Sequence, residues 1–144
     1  MVEKDTVRLL RECDAGVKMG VSAIDDVLKY VKDERLREIL SKSREEHTRL
    51  GRELDSLLES CHDDGKEPNP IAKGMSWMKT NMKLVMHESD ATVADLITDG
   101  CDMGVKSLSR YLNQYAAASE EAKDIAKKLI AMEEDLGKSM RDYL

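Results

Sequence analysis

The hexapeptide Cys13-Asp14-Ala15-Gly16-Val17-Lys18 returns as Cys101-Asp102-Met103-Gly104-Val105-Lys106, with five of six residues identical and a shift of 88. The same shift carries Glu45-Glu46 onto Glu133-Glu134. A repeat that long holds two helices and a turn, so the chain reads as a duplicated helical hairpin.

Length and composition agree. The 144 residues fit one domain, 1–144, large enough to bury a core without staples. Charged residues make up 36% and hydrophobic residues 41%, with no Phe and two prolines, which favours long helices. The net charge of −6 argues against a nucleic-acid partner. No apolar run approaches the roughly 18 residues of a membrane span. The charged start, Met1-Val2-Glu3-Lys4-Asp5, has no apolar stretch behind it and reads as no signal peptide. Three cysteines without a CxxC spacing argue against a disulfide framework and place the protein in a reducing cytoplasm.

Along the chain, Leu10, Cys13, Val17, Gly20, Ile24, Val27 and Val31 recur every three or four residues, predicting a helix over about 3–32. Asp33 is the expected N-cap of a second helix bearing Leu36, Leu40, Ser43, His47, Leu50, Leu54 and Leu57. The short turn makes the two antiparallel. Both prolines and a glycine fall in Cys61–Pro70, the expected long loop. Asn69-Pro70 then opens a shorter helix over about 70–88. Ser89 or Asp90 starts a helix to about 117, and Ser119 caps the last one. The expected organisation is a hairpin over 3–62, a crossover loop and helix over 63–88, and a hairpin over 90–144. That is an all-α, ferritin-like four-helix bundle of two helical hairpins with an extra crossover helix.

The Glu12-Cys13-Asp14-x-Gly16 opening, the Leu/His seam of the second helix, the Trp77-bearing crossover helix and the final Glu133-Glu134-Asp135 helix resemble a bacterial ferritin-like family classed as a domain of unknown function. The resemblance runs from about Val7 to Tyr143. It implies the fold, a bacterial source and a self-associating protein.

Ferritin-like di-metal proteins take one Glu from each of two helices and a Glu-x-x-His from each of the other two. Here Arg44 stands three before His47, and Gly137 stands three after Glu134. The ligand set is incomplete, so no metal or cofactor is expected. If iron or another divalent metal binds, its candidates are Asp14, Glu46, His47, Asp102 and Glu134.

Plainer readings cover most of these residues. His47 on a leucine stripe reads as a neutral core histidine bonded to Ser43 or to a neighbouring helix, where leucine would serve as well. Cys13 and Cys101 read as small core hydrophobes in acidic surroundings that disfavour a thiolate. Gly16 and Gly104 each cost about 1 kcal/mol in a helix, and close approach of the first and third long helices is the expected reason. The sharper alternative is room for a ligand beside His47. The run Cys61-His62-Asp63-Asp64 lacks a second half-site for a metal.

In the crossover helix, Met75, Met78, Met82 and Val85 share one side, and Trp77 and Leu84, seven apart, share another. One side covers the bundle. The other, through Trp77 and Leu84, is the expected interface with a second copy of the chain. The function this favours is a non-enzymatic, self-associating structural or interaction protein. The alternative is a degenerate di-metal carboxylate bundle with metal-binding or oxidoreductase activity, and a weaker third is a small-molecule binder beside Gly16 and Gly104.

Overall fold

The computed structural model describes residues 2–61 and 89–144, with side chains from residue 4 onward. The expected crossover helix, with its Met side and its Trp77 and Leu84, lies outside the described residues. Helix α1 spans Val2–Leu28, α2 Glu34–Ser60, α3 Asp90–Gln114 and α4 Glu120–Met140, ending in a 3-10 turn over Arg141–Tyr143. The described residues are all-α, in a four-helix arrangement.

The cap signals at Asp33, Ser89 and Ser119 are used, while the start expected at Asn69-Pro70 lies outside the described residues. Asp33 accepts from the Leu36 amide at 2.9 Å, Ser89 from Thr92 at 3.1 Å and Ser119 from Ala122 at 3.2 Å. These bonds satisfy amides that have no partner inside the helix. Helix α1 stops earlier than expected, at Leu28 rather than 32. The Arg37 guanidinium donates to the Leu28 carbonyl that ends α1, at 3.3 Å, and to the Val31 carbonyl in the turn, at 2.6 Å. Asp33 must be extended to cap α2, so the preceding residues leave the helix even though Val31 stays buried.

Helices α1 and α2 form one antiparallel pair, and α3 and α4 the other. The pairs are clamped at both ends. The Asp90 carboxylate at the start of α3 accepts from the Asp33 amide at 3.1 Å, and Thr6 near the start of α1 accepts from the Ser119 amide at 2.8 Å. Asp33 and Ser119 are the N-caps of α2 and α4, so each pair holds the other's turn. Helices α1 and α4 pack against all three other helices, while α2 and α3 stand on opposite flanks. The bundle is therefore compressed along the α1–α4 diagonal.

Buried positions recur between the two helix pairs, but not at the register the hexapeptide suggests. Buried Leu9, Leu10, Cys13, Val17 and Ile24 of α1 correspond to Val93, Ala94, Ile97, Cys101 and Leu108 of α3, each pair 84 apart. Buried Leu36, Leu40, Ser43, His47, Leu50 and Leu54 of α2 correspond to Ala122, Ala126, Leu129, Glu133, Leu136 and Met140 of α4, each pair 86 apart. The described glycines obey the same rule: Gly16 with Gly100, Gly20 with Gly104, Gly51 with Gly137. The shift of 88 thus places the second hexapeptide one helical turn past its structural equivalent. A whole turn returns a residue to nearly the same helix face, which is why the displaced copy still carries a core cysteine.

Candidate functional site

A leucine seam interrupted by a histidine needs a partner for each ring nitrogen. His47 is fully buried, and both nitrogens are satisfied. Nδ1 lies 2.8 Å from the Ser43 carbonyl, one turn earlier on α2, with the Ser43 hydroxyl at 3.4 Å. A carbonyl can only accept, so Nδ1 carries a proton. Nε2 lies 2.6 Å from Oε1 of Glu133 on α4. One proton bridges that gap. Burial works against a charged imidazole, but the hydrogen bond and charge of Glu133, helped by the Ser43 carbonyl and Glu46, hold the His47 pKa above its ordinary value. The pair bridges α2 to α4 through one shared proton.

Two glycines make room for it. A Cβ on Gly20 of α1 would lie 2.9 Å from His47 Cδ2 and 3.0 Å from Nε2. Their equivalents on the other side, Gly104 and Glu133, are looser: a Cβ on Gly104 of α3 would lie 3.4 Å from Glu133 Oε2. Neither Gly16 nor Gly104 serves a close α1–α3 approach, contrary to expectation. Gly104 faces Glu133, and Gly16 faces Leu129 at 3.7 Å, both on α4. The ring itself fills the place a Gly20 side chain would take.

Cys13 and Cys101 are core residues, as read from the sequence, and Cys61 is half-buried. Burial, then the charges of Glu12 and Asp14, push the Cys13 thiol up to about 12. Burial and then Glu133, by charge and by hydrogen bond, raise the Cys101 thiol. Neither is poised as a nucleophile.

The five sequence-derived metal candidates are not brought together. His47 is in the core, but its carboxylate partner is Glu133, whereas Glu134 is exposed. Asp14 is buried and bridged to Lys18 at 2.9 Å, while Asp102 is exposed and Glu46 half-buried. Among the described residues no group of three or more His, Cys, Asp and Glu side chains is placed to share a metal ion. The physical reason is the register. Equating Asp14 with Asp102 and Glu46 with Glu134 follows the shift of 88, whereas the buried positions match at 84 and 86.

A groove of about 520 Å³ lies between α1 and α2. Asp14, Lys18, Asp25, Arg52 and Asp55 line it, and His47 and Glu133 do not. Also among the described residues, no helix is long and apolar enough to cross a membrane.

The signal for Glu133 was present in the sequence. Ala122, Ala126, Leu129, Leu136 and Met140 trace an apolar stripe on α4 that passes through position 133. Comparison with protein-family models, with curated proteins and with solved structures finds no match.

Proposed function

We propose that this protein is a non-catalytic helical bundle of ferritin-like arrangement that works by self-association rather than by chemistry at a buried site. The observation that carries this reading is the closed His47–Glu133 bridge. Metal–nitrogen and metal–carboxylate bonds of about 2.0–2.2 Å, at ordinary coordination angles, hold two ligand atoms roughly 3 Å or more apart. A 2.6 Å separation holds a proton. The core position that could grip a metal is spent on joining α2 to α4. Antiparallel docking of α1 on α3 supports the ferritin-like arrangement, and Trp77 and Leu84 remain the expected contact with a second copy.

Two measurements test the proposal. Elemental analysis after aerobic purification with Fe(II) should give no stoichiometric iron; about two irons per chain overturns the reading in favour of the di-metal bundle. Light scattering should give an assembly mass above that of one chain. Trp77→Glu with Leu84→Glu should lower that mass while circular dichroism stays helical. A wild-type monomer, or a double variant that unfolds, removes self-association through this helix.

A further inference from the structure

The inner faces of the two helix pairs are built alike. Most of their buried positions, and their glycines and end clamps, match at constant register, while buried Asp14, Ala15, Val27 and Leu58 have no buried counterpart. Apolar packing alone therefore gives each pair little reason to prefer the unlike pair over a second copy of itself. His47 and Glu133 occupy equivalent positions, and they meet each other between α2 and α4. At that point the two faces differ most in chemistry.

We propose that the His47–Glu133 bridge is a partner-selection device, which lets the α1–α2 face accept an α3–α4 face, from its own chain or from another copy, and refuse its own kind. The argument is a proton count. In the unlike docking, one proton lies between Nε2 and Oε1. In a like docking of α1–α2, two Nε2 atoms would meet, each on a ring whose Nδ1 proton is already given to a Ser43 carbonyl. Neutral rings would then present two acceptors to each other, doubly protonated rings two like charges, and a pair sharing one proton a buried cation with no counter-charge. In a like docking of α3–α4, two buried carboxylates would meet, and one would have to take up a proton, leaving a buried anion with no counter-charge. Only the unlike docking closes the hydrogen bond and balances the charge together, and an uncompensated buried charge costs far more than the pair gains when matched. A single buried polar position that fixes partner and register is the best-attested use of such groups.

The proposal stands apart from any contact through Trp77 and Leu84, because it concerns the face buried inside each bundle. Its test uses the full chain. His47→Leu combined with Glu133→Met removes the proton and keeps the volume. The expected result is a folded helical protein that has lost uniqueness: native mass spectrometry shows additional assemblies, and methyl NMR shows more than one set of signals. A single mass and a single set of signals, as in wild type, overturns the proposal. Glu133→Gln decides the matter if the double variant unfolds. An amide can still bridge to His47, but two amides can also bridge to each other, so self-docking of the α3–α4 face becomes allowed. Additional assemblies growing with concentration support the proposal, and one wild-type-like species refutes it.

Discussion

Gly16 and Gly100 hold the same place in the two halves of the molecule and meet different surroundings. A Cβ on Gly16 would touch Leu129 of α4 at 3.7 Å, whereas one on Gly100 would meet nothing within 4 Å. Gly20 and Gly104 show the same contrast one turn later, with His47 tight against one and Glu133 loose against the other. For Gly16 and Gly100 the cause is the compression of the bundle along α1–α4, which leaves α2 and α3 apart, whereas the Gly20 and Gly104 contacts each lie within one helix pair. A duplicated sequence can thus be held in matched register while its two copies experience different packing. Identical residues then carry different energetic consequences.

The largest break in this comparison comes from removing one end of the bridge. The sequence alone suggests that leucine at 47 would complete the seam without loss. The structure reverses that expectation, because His47→Leu strands the Glu133 carboxylate, whose side chain is only 11% exposed. We expect a loss of about 3–5 kcal/mol in denaturant unfolding, with most of it recovered when Glu133→Met is added. A single variant as stable as wild type would mean that Glu133 finds another partner.

The second break is pH. The folded pKa of His47 is raised above the ordinary 6.5, so its bridge contributes fully below about pH 6.5. That contribution is lost as pH rises through the raised folded value. Unfolding free energy should therefore decline on the alkaline side by part of the loss in His47→Leu. Subtracting the same titration of the His47→Leu/Glu133→Met variant isolates this component, and identical pH profiles would show that the bridge carries no net proton linkage.

The smallest changes sharpen the contrast between halves. Gly20→Ala should destabilise by about 1–2 kcal/mol, since a ring held at both nitrogens cannot move aside. Gly104→Ala should be close to neutral, with helix propensity offset by the neighbouring Glu133. Gly100→Ala should stabilise by up to about 1 kcal/mol, since nothing opposes the gain. Thermal melts of the three variants test the order, and a Gly20→Ala protein at least as stable as Gly100→Ala would contradict the packing described.

Helix identity was legible in the sequence because it depends on neighbours. Three- and four-residue spacing, Asp33, Ser89 and Ser119 act within a turn or two, and their readings match the structure. The burial of Cys13, Cys101 and His47 was legible for the same reason. The duplication was also visible, and the most similar hexapeptides gave a shift of 88. The less conspicuous match of Gly16, Met19, Gly20 and Val21 with Gly100, Met103, Gly104 and Val105 carries the true 84.

Sequence by itself determined that there are helices, where they start, and which stripe of each is apolar. Only the tertiary structure decided that Asp14 is buried while Asp102 is not, and that His47 pairs with Glu133 across the bundle. Asp14 and Asp102 are the same residue in nearly the same local sequence, so intrinsic propensity does not distinguish them. Which one is buried depends on the rotation and axial offset of one helix pair against the other. Those two quantities are set where distant segments touch: Asp90 on the turn before α2, Thr6 on the turn before α4, and a histidine ring pressed against a glycine.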